Sequence, residues 1–198
     1  MNLPESLTLA IEKIAEAWRP LETAWLIGGS CGLLLQSVRV NAAPRDLDIY
    51  ADETEGRLLH DRLAAYRVDG PVYSETGKYR SILSHYRIEG VAVELVTGFQ
   101  VIVPGADYTI RVAETMVGHA RRVQTGSVLV GLMPLAHEFI FNLLRDRPDR
   151  YEAIAEKLRE HPERHMPALN ELVRTNVFDE SWLNRMAKLI GEDGAWRR

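Results

Sequence analysis

Apolar residues recur at helical spacing from the start of the chain. Leu7, Leu9, Ile11, Ile14, Ala15 and Trp18 mark a helix over 5–18, which Pro20 closes. Ala24 to Ile27 is a short apolar run that stops at Gly28-Gly29, the pattern of a buried strand entering a tight turn. Ser30 is placed to cap a following helix over 31–38 built on Leu33, Leu34 and Leu35. After a loop at Asn41 to Pro44, residues 46–50 alternate polar and apolar as a strand does, and 53–66 return to helical spacing. Three strands are predicted at about 71–76, 80–88 and 91–97. Gly77-Lys78 and Glu89-Gly90 are the turns between them, short enough to make neighbours antiparallel. Residues 108–130 read as irregular strand with a short helix. From Pro134 onward the spacing is helical, over 134–146, 149–160, 167–175 and 179–190, with 163–166 unassigned.

The change of pattern near residue 133 divides the chain into a mixed α/β part, 1–132, and a C-terminal helical part, 133–198. The expected fold class is α+β, a mixed sheet of about five strands flanked by helices. With 198 residues, 46% of them hydrophobic, there is ample material for a core. No apolar run approaches the roughly 20 residues that span a bilayer, and the N-terminal residues lack a signal peptide's pattern. Cys31 is the only cysteine. These features are expected of a cytoplasmic protein without disulfides or membrane contact. The net charge of −4 argues against broad nucleic-acid binding, although Lys78–Arg87, Arg121-Arg122 and Arg145–Arg150 form local basic runs that read equally as solvated surface.

Candidate chemistry lies in three places. At Ile27-Gly28-Gly29-Ser30, glycines allow a sharp turn and close approach of a phosphate. The following helix would offer amides, and Ser30 a hydroxyl. In Arg45-Asp46-Leu47-Asp48-Ile49, a strand directs both aspartates to one face while Leu47 and Ile49 face the core. Adjacent carboxylates on one face repel each other unless a cation neutralises them, and paired carboxylate oxygens with open positions suit Mg2+. In Val91 to Val96, Glu94 interrupts a buried run. Such a carboxylate must be paired, hydrated or metal-bound: it either completes a cluster with Asp46 and Asp48 or pairs with Arg80, His85 or Arg87.

Taken together, strand–Gly-Gly-Ser–helix, Asp-x-Asp on the next strand and a lone acid on a later strand resemble the nucleotidyltransferase superfamily of DNA polymerase β type. The small bacterial members are most similar, the aminoglycoside nucleotidyltransferases and those associated with toxin–antitoxin systems. The motifs cover roughly residues 20–100. The resemblance implies that Gly28, Gly29 and Ser30 hold the triphosphate of ATP or another NTP, with Arg45 in a phosphate contact or at the surface. It implies that Asp46, Asp48 and Glu94 bind a two-ion Mg2+ site, with Glu94 also a candidate general base. The reaction would move a nucleoside monophosphate to an acceptor hydroxyl on a small molecule, a tRNA end or a protein. A second copy of the chain or a toxin–antitoxin partner fits the same resemblance, as does a non-catalytic, antitoxin-like binding role, against which the retention of all three acids counts.

Lys78 and Arg80 are weaker candidates for phosphate contact. Many relatives carry a lysine on the first helix after the sheet, whereas His137 to Asn142 contains none, leaving Arg145, Arg147 or Arg150 as substitutes. His161 and His165 flank Pro162 without a third ligand and read as surface residues. Cys31 reads as a small buried hydrophobe, although a helix N-terminus would lower its pKa. Phe139, Phe141, Tyr151, Trp182 and Trp196 read as helical core or subunit contact. His85 and His119 show no partner in the sequence.

Overall fold

The computed structural model of the protein describes residues 3–192. Trp196 lies outside them. The chain runs α1 (Glu5–Trp18), β1 (Trp25–Ile27), α2 (Gly29–Leu35), β2 (Asp46–Ala51), α3 (Glu53–Arg62), β3 (Val72–Thr76), β4 (Tyr79–Ile88) and β5 (Val91–Val103). There follow β6 (Ala106–Thr109), β7 (Arg121–Thr125), β8 (Val128–Leu132), α4 (Leu135–Leu144), α5 (Pro148–Glu160), α6 (Pro162–Thr175), β9 (Val177–Phe178) and α7 (Glu180–Ile190). A π-helical turn and a 3-10 turn occupy Val112–Met116 and Val117–His119, where an irregular segment is expected.

The mixed sheet orders its strands β3-β4-β5-β2-β1-β8-β7, with β6 on β5 and β9 on β6. Both tight turns join antiparallel neighbours as their lengths predict. The sheet has nine strands among the described residues, more than the expected five. Part of the difference lies in β5, which runs on to Val103 rather than ending near 97. Gly98 sits inside it at φ 58, a conformation that bends a strand, and the portion beyond it pairs with β6. The rest is β9, which adds to β6, and the β7–β8 hairpin, in which β8 returns parallel to β1 next to the Gly-Gly turn.

Side-chain alternation divides the sheet's faces. Leu47, Ile49, Val93 and Leu95 pack with Leu7, Ile11, Ile14 and Trp18 of α1 and Leu59 of α3. Tyr50, Val96 and Phe99 face the other way and join Phe139, Ile140 and Leu143 of α4 and the helices behind it. The apolar core therefore runs across the change of pattern near residue 133. All ten residues of α4 are buried, because the sheet lies on one side of it and α5 and α6 on the other.

Two helix boundaries differ from expectation for local reasons. Ser30 does not cap α2: Gly28 stands at the N-cap, and Ser30 lies inside the first turn. Helix α6 begins at Pro162 and includes the unassigned 163–166 segment. Pro162 needs no helical donor at N1, and Pro167 removes one only near the start, where Glu163 is solvent-exposed.

Candidate functional site

β2 and β5 run parallel and in register, Asp46 opposite Ala92 and Asp48 opposite Glu94. Since Leu47 and Ile49 are taken up by the α1 face, Asp46, Asp48 and Glu94 project from the face that carries α4. Asp48 and Glu94 line a cavity of about 290 Å3, together with Gly29, Glu138, Arg145 and Arg150. Asp46 is exposed at the strand's start. The structure thus brings the three acids to one side of the sheet beside the glycine turn.

The electrostatics express their closeness. Burial, then Asp46 and Glu94, push the Asp48 carboxyl up to about 7, against the opposing pull of Arg150 and Arg145. Glu94 is also tied sideways: its Oε2 lies 3.0 Å from His85 Nε2, and His85 Nδ1 lies 2.7 Å from Asp69 Oδ2. Burial lowers the His85 pKa, but the hydrogen bond and charge of Asp69, and then Glu94, raise it above its ordinary value. The two readings of Glu94, cluster member or histidine partner, are therefore compatible, because one oxygen serves His85.

The turn itself is constrained. Gly29 adopts φ 58, and a Cβ there would collide with Asp48 Oδ2. Both demands require glycine. Gly29→Ala is expected to cost at least about 2 kcal/mol of stability in urea denaturation, because it adds a left-handed penalty to a clash that must displace the Asp48 carboxylate. A midpoint unchanged from wild type would show that the turn is not held in this form.

The turn's donors are more committed than the sequence indicates. Gly28 N donates to Asp48 O at 3.0 Å. Gly29 N donates to Glu138 Oε1 at 2.8 Å, and Ser30 Oγ accepts from Arg150 Nη2 at 3.0 Å. The N–H groups of Gly28 and Gly29 themselves therefore already have protein acceptors. Glu138 is fully buried, and burial raises its carboxyl to about 7 despite the Gly29 bond. Sequence reasoning passed over it, although a lone acid within His137 to Leu144 carries the same signal that singled out Glu94.

Of the basic candidates, Arg145 and Arg150 line the cavity, whereas Arg147 pairs with Asp149 at 2.7 Å. Lys78 donates to Leu144 O at 2.8 Å, and Arg80 pairs with Glu75 on the exposed hairpin. Both are engaged away from the acids. Arg45 is exposed and makes no hydrogen bond or ion pair among the described residues. Phe141, read from the sequence as core, also lines the cavity with Tyr79 and Phe99, its ring 5.2 Å from that of Phe99.

Cys31 is buried, and burial followed by Asp48 and Asp46 pushes its thiol up to about 12, opposite to the shift a helix N-terminus would give. His119 has a partner after all, Glu171 at 2.7 Å.

Among the described residues, no three His, Cys, Asp or Glu side chains are gathered into a ready-made metal site. The donors nevertheless fit a hard cation in kind. They are carboxylate oxygens from adjacent strands, and half-buried Asp48 has its proton affinity raised by burial and then by its acidic neighbours. Also among the described residues, no helix is long and apolar enough to cross a membrane.

No family model and no curated protein sequence matches the chain. Solved structures do. A protein of Thermotoga maritima assigned as a nucleotidyltransferase is 23% identical, over 81% of this chain and 96% of that one, with a TM-score of 0.63. The antibiotic-resistance factor ANT(2'')-Ia is 14% identical, over 84% of this chain and 90% of that one, with a TM-score of 0.51. What they share with this chain is the fold, that of the nucleotidyltransferases.

Proposed function

We propose that this chain, built on the nucleotidyltransferase fold, transfers a nucleoside monophosphate from an NTP such as ATP to an acceptor hydroxyl, releasing pyrophosphate. The observation that carries the reading is the in-register placement of Asp48 opposite Glu94, with Asp46 on the same face and a glycine turn against Asp48.

Asp46, Asp48 and Glu94 would hold Mg2+. The bound cations would neutralise phosphate oxygens and polarise the attacked phosphorus. The chain's own contributions follow from geometry. Arg150, linked to Ser30, and Arg145 put two positive charges on the cavity wall beside the acids, where the phosphates of a nucleotide need counter-charge. They take the place of the absent lysine. Tyr79, Phe99 and Phe141 give the same cavity an aromatic side on which a base or an acceptor ring can lie. Glu94 would accept the acceptor's proton, with His85, anchored by Asp69, fixing the carboxylate's orientation. Arg45, exposed beside Asp46, would be a further phosphate contact.

The test is direct. The protein is incubated with labelled NTPs, Mg2+ and cell extract, and a labelled acceptor is sought. A small or cationic acceptor suits the chain's acidic balance, and a tRNA or protein acceptor would be recovered by the same label. Glu94→Gln is expected to retain nucleotide binding by calorimetry and to lose turnover by about 10²-fold or more. Unchanged turnover would remove Glu94 as the base. One observation favours a second reading, a non-catalytic binding protein: Glu138 occupies the Gly29 amide. Absence of any metal-dependent nucleotide binding by the wild type would decide for it.

A further inference from the structure

A second cavity, of about 500 Å3, opens between the end of α2, the start of β7 and the helices α4 to α6, and shares no lining residue with the carboxylate cavity. Its rim is basic. Arg121 opens β7, Lys157 lies near the end of α5, and Arg164 and His165 stand in the first turn of α6. Lys157 is paired with Glu160, also in the lining, at 2.6 Å. Among the described residues, the guanidinium groups of Arg121 and Arg164 make no hydrogen bond or ion pair. Pro134 and Leu135 give the wall an apolar part.

We propose that this cavity is a second ligand site, taking a small phosphate-bearing molecule whose phosphate sits between Arg121 and Arg164. A guanidinium presents donors in a planar fork that matches phosphate oxygens, and two of them here lack acceptors. The volume lies within the roughly 300–1,000 Å3 of small-molecule sites, large enough for a group beyond the phosphate to meet the apolar wall. His165 senses the same field. Its pKa is lowered by burial and then by Arg164, His161 and Arg121, with Glu163 opposing too weakly to reverse the shift. Surplus positive potential beside a half-buried ring is what an anion would neutralise. This cavity would bind its ligand whether or not the carboxylate cavity performs the transfer reaction.

The experiment follows the His165 ring by NMR in the full chain with EDTA present, titrating AMP and, separately, inorganic phosphate. Saturable movement of the His165 resonance, with its titration midpoint raised at saturation, is expected. The double variant Arg121→Ala/Arg164→Ala, at two exposed positions and with its fold checked by circular dichroism, is expected to weaken binding at least about tenfold. Asp48→Asn is expected to leave it unchanged, so that failure here is distinguishable from failure of the transferase reading. AMP binding more tightly than inorganic phosphate would identify an organic phosphate, and equal affinities would identify phosphate itself. Either supports the site. No movement of His165 with about 10 mM of either probe, a range already weaker than ordinary recognition, would overturn it. So would undiminished affinity in the double variant, or a short RNA binding there when AMP does not.

Discussion

Asp48→Asn is expected to raise the melting temperature of the cation-free protein at pH 8 while cutting nucleotidyl transfer by at least about 10²-fold. The stability gain follows from linkage. The folded-state pKa of Asp48 is about 7 against an ordinary 3.8, so between those values the folded chain holds a proton that the unfolded chain has released. The stabilisation is full below the unfolded value and is lost as pH rises through about 7. At pH 8 the folded protein carries a half-buried charge crowded by Asp46 and Glu94, and asparagine removes it at nearly constant shape. At pH 5, where the wild-type carboxyl is protonated in the folded state but released in the unfolded one, the difference between variant and wild type should be smaller, and it should vanish only below the unfolded value of 3.8. Glu138, also raised to about 7, shifts both proteins in the same sense. His137 acts in the opposite sense. Burial lowers its pKa to about 3, so its contribution is present above the unfolded value near 6.5 and is lost as pH falls below it. Because His137 is neutral in both states at pH 8, differential scanning calorimetry there isolates the carboxylate effect. A variant no more stable than wild type at pH 8 would show that Asp48 is not under this strain.

The second large effect is the reverse of the first. Adding Mg2+ or Mn2+ to the wild type at pH 8 should recover the stability lost to ionised carboxylates. A ligand that binds only the folded state at 100 times its Kd contributes about 2.7 kcal/mol, which is about 5–10 °C in melting temperature for a chain of this size. The shift should disappear in Asp48→Asn and shrink in Asp46→Asn. It should be smaller at pH 5, where protons compete for the same oxygens. An equal shift in all three proteins would place the cation elsewhere on the surface.

Several assignments were legible along the chain because they depend only on local order. Helical spacing located α1, α4, α5 and α7 within a few residues and α6 only at its C-terminal end, and the two short turns dictated the antiparallel β3–β4–β5 meander. The Asp-x-Asp alternation required that Asp46 and Asp48 share a face. Other features were illegible because they depend on pairing between distant segments. Sequence spacing does not reveal that β5 lies beside β2 in parallel, nor that the register sets Glu94 against Asp48 rather than one residue away, which would turn its carboxylate into the α1 core. Nor does it reveal which of Arg80, His85 and Arg87 faces Glu94 from the neighbouring strand, or that α4 carries Glu138 onto the turn from more than a hundred residues away.

The amino-acid order alone therefore determined that Asp46 and Asp48 share a face and that the turn before Ser30 could be tight, because the two-residue period of a strand and the conformational freedom of glycine act within a few bonds. The tertiary structure decided which of these groups meet and which are already engaged. Register, helix docking and burial set the spacing of charges and their proton affinities, and those are properties of neighbours in space.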